Sequence, residues 1–269
     1  MEEENKDTNV KATIDAVTGL AKAIPVYDDA IQPAAKEIGK SLATVTKKVN
    51  IALAPIKALV WGYEKIEDYL TKRVSEKLND IPEEDIQTPP TNIAGPAVEA
   101  LRFTGHNENL RELYASLLAM SMNKNTIDKA HPSFVDIIKN LSTEEALILK
   151  QFISKDIYPK IDIQENLKDN KGQIIRFQNF TLFHEVNSRL KPHNIPTYFD
   201  NLQRLGIIEI IKDEYLINDK LYEPLKTSSS ISGLIQNIEE KGLEVNFRKG
   251  IISLTAFGKD FVKNVVAMK

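Results

Sequence analysis

Residues 89–152 read PPTNIAGPAVEALRFTGHNENLRELYASLLAMSMNKNTIDKAHPSFVDIIKNLSTEEALILKQF, and this stretch decides the fold class. It holds a series of short helical patterns, each with a readable start or stop. Leu110, Leu113, Tyr114, Leu117 and Leu118 recur every three or four residues, which places them on one stripe of a helix. Arg111, Glu112 and Ser116 fall on other faces. His131-Pro132 follows, and proline suits a first helical turn, where its missing N–H would be unpaired in any case. Phe134, Ile137, Ile138 and Leu141 mark the buried side of a short helix. Ser142-Thr143-Glu144-Glu145 is a capping box: the Ser142 hydroxyl accepts from the Glu145 N–H, and the Glu145 side chain reaches back to the Ser142 N–H. Leu141 and Ala146 are spaced for a hydrophobic staple. These are folding signals, and none is a pattern that chemistry demands.

Working outward, Ile56, Leu59, Val60, Tyr63, Ile66, Leu70, Val74 and Leu78 form one stripe of a long helix over 51–79, with Pro55 at its start. Residues 79–90 are rich in acids and prolines and read as a linker or loop. Residues 10–50 read as one or two helices interrupted near Pro25 and Pro33. The acidic start, residues 1–9, reads as a disordered tail, unlike the basic start and apolar core of a signal peptide. Beyond Phe152 the period changes. Asn194 is placed to cap a helix with Pro196 in its first turn. Tyr198, Phe199, Leu202 and Leu205 supply its buried side, and Gly206 its stop. Ile207–Ile211 is a short strand. Leu243, Val245 and Phe247 alternate, Arg248-Lys249-Gly250 turns, and Ile251 to Leu254 runs back, which predicts a hairpin. Thr255 caps a last helix with Phe257, Phe261 and Val265 inward. The expected architecture is mainly α: a multi-helix region over 10–153, with a helical middle at 91–153, then a small α+β winged-helix-like domain over 154–269.

The segments PPTNIAGPAVEALRFT, ENLRELYASLLAMSM and AHPSFVDIIKNLSTEEALIL, followed by LQRLGIIEI and ISLTAFGKDFV, carry a resemblance in that order. The set resembles the abortive-infection alpha family of bacteria, largely helical proteins associated with antiphage defence. The upstream run PVYDDAIQPAAKEIGKSLATVTKKVNIALAPIKALVWGYEKI is similar to the longer members. The resemblance covers roughly residues 20 to 265 and implies a role in defence against phage. It brings no catalytic residue with it.

Composition narrows the chemistry. There are no cysteines, which excludes disulfides and thiol catalysis and fits a reducing cytoplasm. Residues 1–149 hold 17 Lys and Arg against 23 Asp and Glu, and residues 150–269 hold 18 against 15. The weakly basic second part falls short of the clustered basic footprint of a dedicated nucleic-acid binder. No H-E-x-x-H, phosphate loop or G-x-S-x-G elbow occurs. No Arg precedes a His with the four to six intervening residues used by several defence ribonucleases: Arg102–His106 and Arg189–His193 have three between them, and Arg176–His184 has seven. No metal site, cofactor or small-molecule substrate is indicated, so the sequence predicts binding rather than catalysis, with a protein partner or self-association.

Two surfaces are candidates for other partners. In a winged helix, Thr197, Asp200, Asn201, Gln203 and Arg204 would line the recognition helix, and Arg248 and Lys249 the wing tip. Asn and Gln read adenine and Arg reads guanine in the major groove. Only Arg204 in that helix is basic, so weak nucleic-acid binding is the expectation, centred on Asn201, Arg204, Arg248 and Lys249. The stretch VNIALAPIKALVWGY, residues 49–63, has one charge, Lys57, and the only tryptophan, Trp61. It is too short to span a bilayer. It reads first as a buried bundle helix and second as an interfacial helix placing Trp61 and Tyr63 at headgroup level, peripheral to the inner membrane face.

Overall fold

The computed structural model describes residues 47–51, 64–168 and 171–268. They are mainly α-helical with one antiparallel four-stranded sheet. The chain divides into two compact units, one running to Asn140 and including Met268, the other spanning Leu141–Ala267. The division lies ahead of the capping-box helix, whereas the sequence reading put it after residue 153.

The first unit is built around one helix. Helices α1 (Glu64–Lys77), α2 (Thr91–Thr104), α3 (Glu108–Met122) and α4 (Ser133–Lys139) follow the expected order. The expected helix over 51–79 ends at Lys77, and its part over 52–63 lies outside the described residues. Asn107 starts α3, its side chain accepting from the N–H groups of Asn109 and Leu110. The stripe Leu110, Leu113, Tyr114, Leu117 and Leu118 is buried as predicted, but burial extends round the helix and takes in Ser116. Ala115, Ser116, Ala119 and Ser121 are small enough for α1, α2 and α4 to approach α3 from several sides. Phe134, Ile137 and Ile138 are buried on α4.

The segment read as a linker or loop, 79–90, is a loop anchored to the end of α3. It contains a 3-10 turn at Glu83–Asp85, and Ile86 bridges to Asn123. The Gln87 N–H donates to the Met122 carbonyl at 2.8 Å, and Lys124 N–H donates to the Asp85 carbonyl at 2.9 Å. The open Met122 carbonyl at the end of α3 thus finds a donor that acid and proline content does not reveal.

In the second unit, α5 (Thr143–Gln151) carries the predicted capping box, with Ser142 N–H donating to Glu145 Oε2 at 2.6 Å and Glu145 N–H to Ser142 Oγ at 3.2 Å. Strands β1 (Ile157–Asn166) and β2 (Gln173–Phe180) then form a hairpin. Helices α6 (Phe183–Val186) and α7 (Ile195–Arg204) lead to β3 (Ile208–Ile211). After α8 (Glu223–Lys226) and α9 (Ser229–Glu240) come β4 (Val245–Leu254) and α10 (Ala256–Phe261), which continues as a π-helical turn over Val262–Val266. The strand order is β2-β1-β4-β3.

The predicted hairpin over 243–254 does not form. Residues 245–254 are one strand, β4, paired along its length with β1, so that Gly250, Lys249 and Arg248 face Lys160, Ile161 and Asp162. A long partner strand satisfies the backbone that a local turn would otherwise have closed. Gly250 is not a turn glycine: a Cβ there would lie 2.4 Å from Lys160 Cε and 2.7 Å from the Ile211 carbonyl oxygen. It is glycine because other groups approach its backbone.

The helix ends follow local signals. Gly206, with φ of 72°, ends α7, its N–H donating to the Gln203 carbonyl and the Ile207 N–H to the Leu202 carbonyl. That is the Schellman arrangement. Asn194 stands at the start of α7, but its side chain makes no cap hydrogen bond and its backbone is helical, so the preceding 3-10 turn Pro192–Asn194 takes the place of a cap. Thr255 does cap α10, accepting from the Gly258 N–H at 2.8 Å. Strand alternation places Ile161 and Ile163 on one sheet face, in a core with Phe180, Tyr222, Leu225, Ile231 and Ile238. The opposite face carries Tyr158, which packs edge-on against Phe152 and Phe183, and Phe183 against Phe199 of α7.

Candidate functional site

The residues expected to meet nucleic acid are engaged within their own unit. The Asn201 amide donates to Glu145 Oε1 at 2.8 Å and accepts from Arg204 Nη2 at 2.7 Å. Glu145 is buried, so one carboxylate both completes the capping box and anchors α7. Arg248 pairs with Asp213 and Lys249 with Asp219, at 2.7 and 2.8 Å. The Asp219 hydrogen bond holds the Lys249 ammonium above its usual pKa. Arg248 and Lys249 are consecutive in a strand, not at a turn, so their side chains point to opposite sheet faces. Lys249 lies over the Tyr222 ring, 5.5 Å from its centroid. The structure therefore joins Asn201 to Arg204 but separates Arg248 from Lys249. Thr197, Asp200 and Gln203 are exposed on α7. Lys57, Trp61 and Tyr63 lie outside the described residues.

The strongest electrostatics occur where no motif pointed. Lys160 and Asp162 are both fully buried on β1, with Lys160 Nζ 2.8 Å from each carboxylate oxygen. Two residues apart on a strand, they share one face. The Asn179 N–H also donates to Asp162, at 2.8 Å, from a residue with φ of 56°. The β1–β2 register shifts between Ile161 and Ile163, and this irregularity brings Asn179 over the carboxylate. Burial lowers the Lys160 pKa, against the opposing pull of Asp162.

In the first unit Glu112 accepts a two-pronged bond from Arg73, at 3.0 and 2.7 Å, with Lys77 Nζ at 2.7 Å and the Tyr69 hydroxyl at 3.1 Å. Burial alone would push the Glu112 carboxyl up; the bonds from Arg73 and Lys77 outweigh it and bring the pKa down to about 2. This cluster ties α1 to α3. Both clusters are saturated, which describes structural ion pairs rather than an acid or base held ready.

The histidines divide by role. His131 is exposed, and its Nδ1 accepts from the Ser133 N–H at 3.1 Å, a helix-start contact as its position predicted. His184 is half-buried on α6. Among the described residues no group of three or more His, Asp or Glu could hold a metal ion. No described helix is long and apolar enough to cross a membrane.

A helix-rich chain whose polar clusters tie elements together, with no motif-borne catalytic set, is the class these observations define. The chain belongs to the abortive infection alpha family, whose family model matches residues 62–265. This agrees with the resemblance read from the ordered segments and ties the chain to abortive infection, a defence against phage. No curated protein and no solved structure matches it.

Proposed function

We propose that the protein is a bacterial cytoplasmic antiphage factor of the abortive-infection type that acts by binding a protein partner or a second copy of itself. The observation that carries the defence role is the family match over residues 62–265. Binding as the mode is supported by the saturation of the conspicuous charged clusters, Lys160–Asp162 and Arg73–Lys77–Glu112.

The fold reading for the second unit is a winged helix. Its support is connectivity: a helix, then β1, two helices, β3 and β4, with β1, β4 and β3 adjacent in that order. In this reading the β2 hairpin arm and the α8–α9 excursion are additions to the basic plan. Contact with protein is preferred over DNA because Asn201, Arg204, Arg248 and Lys249 each have an internal partner.

The test is expression of the full chain in a bacterial host under challenge by a broad phage panel. Phage yield is expected to fall, or infected cells to arrest. Unchanged plaque counts with the protein demonstrably present would overturn the role. Tight, sequence-selective DNA binding at physiological salt that Arg204→Ala weakens would overturn the preference for protein.

A further inference from the structure

We propose that Ser230 and His184 form a nucleophile–base pair able to hydrolyse small carboxylic esters. Ser230 Oγ lies 2.8 Å from His184 Nε2, and His184 Nδ1 lies 3.2 Å from the Thr181 carbonyl oxygen. A carbonyl only accepts, so the contact assigns the ring proton to Nδ1. Nε2 is then an open lone pair, and the serine hydroxyl donates to it. This is the tautomer a general base needs, and the chain of nucleophile, base and orienting acceptor is complete. The two residues are 46 positions apart, so no local motif reports them.

The surroundings hold the base and leave the nucleophile free. Thr181 is buried, which fixes its carbonyl. The Phe180 ring, also buried, stands 5.8 Å from the imidazole. Ser230 is exposed in the first turn of α9, capped by Ser228, and a substrate reaches its Oγ from solvent. N–H groups of a first helical turn lack intrahelical acceptors and sit at the positive end of the helix dipole. In α9 the Ser230 N–H already donates to Ser228 Oγ at 3.4 Å and the Ile231 N–H to the Ser228 carbonyl at 3.2 Å. An oxyanion developing at exposed Ser230 is therefore stabilised by solvent and by the positive end of the helix dipole.

In the reaction, Oγ attacks the acyl carbon as its proton passes to Nε2, and the carbonyl π pair moves onto oxygen. Collapse breaks the ester C–O bond, and the alcohol leaves with the proton from Nε2. Water then attacks the acyl-serine, gives a proton to the same nitrogen, and releases the carboxylic acid while Ser230 is restored. An exposed serine suits small acyl groups.

This capacity goes beyond the binding role and is independent of it. The test treats the full chain with a fluorophosphonate, where Oγ displaces fluoride and forms an Oγ–P bond, and maps the modified peptide by mass spectrometry. Hydrolysis of p-nitrophenyl acetate is followed in parallel. Modification is expected at Ser230. It should be absent in Ser230→Ala and strongly slowed in His184→Gln, with ester hydrolysis down ~100-fold in both, the order general-base catalysis supplies. Ser232→Ala, two residues further along α9, should behave as the parent, and circular dichroism should be unchanged throughout. No modification, modification of another residue, or equal rates for the parent and Ser230→Ala would overturn the proposal. Phage protection read on the same variants separates the two readings, since a protective but unmodifiable protein sinks only the dyad, and a modifiable but non-protective one sinks only the defence role.

Discussion

Replacing Lys160 by methionine removes one half of a fully buried ion pair and keeps the length of the side chain. In the parent protein Lys160 Nζ contacts both Asp162 oxygens at 2.8 Å, and among the described residues the other donor to that carboxylate is the Asn179 N–H. The variant leaves a buried carboxylate with a single donor, and breaking one side of such a pair costs ~3–5 kcal/mol. With a urea slope of ~2 kcal/mol per M, the midpoint of the second unit should fall by roughly 2 M. Adding Asp162→Asn removes the orphan charge and keeps an acceptor for Asn179, so Lys160→Met with Asp162→Asn should recover most of the loss. Urea unfolding of the full chain, followed by probes specific to each unit, measures this. A single variant within ~1 kcal/mol of the parent, or a double variant no better than the single, would refute the claim that the pair is buried and mutually dependent.

Gly258 should not tolerate alanine, because a Cβ there would lie 1.9 Å from the Ile207 carbonyl oxygen, a backbone atom that cannot swing away; thermal melts should show a loss of ~1–3 kcal/mol or more. Gly95→Ala is the contrast, since nothing lies within 4 Å of its added Cβ inside α2, and a gain of ~0.5–1 kcal/mol is expected. Glu112 has a folded pKa lowered from 4.5 to about 2, so the unfolded chain binds its proton first as pH falls. Its stabilisation, ~1–2 kcal/mol after solvent screening, is present above about pH 4.5 and lost as pH falls through about 2. The stability gap between the parent and Glu112→Gln should therefore close over that window, and a gap independent of pH would refute the assignment.

Local signals were legible because their partners lie within a few residues. The Ser142–Glu145 box, the Thr255 cap and the Gly206 stop each involve groups no more than five positions apart, and each forms as its sequence predicts. Helix stripes were legible for the same reason, since a 3.6-residue period is a local property of the chain. The Arg248-Lys249-Gly250 reading failed because a turn and a strand compete for those residues, and the competition is settled by β1, more than 80 positions upstream. The burial of Ser116, off the predicted stripe, was not legible because a polar residue small enough for close packing carries no outward mark of burial.

The candidate sites divide along the same line. Residue type made Asn201, Arg204, Arg248 and Lys249 plausible nucleic-acid contacts, and the folded chain supplied each with an internal partner. Ser230 and His184 look like ordinary polar residues until α6 and α9 bring them within hydrogen-bonding distance. The sequence by itself determined the helical class, most helix ends and, through its ordered segments, the family. Only the tertiary structure decided the strand pairing, the buried Lys160–Asp162 pair and the Ser230–His184 contact. Those depend on bringing together residues far apart in the chain, or on an irregularity between two strands, and neither has a signature in local spacing.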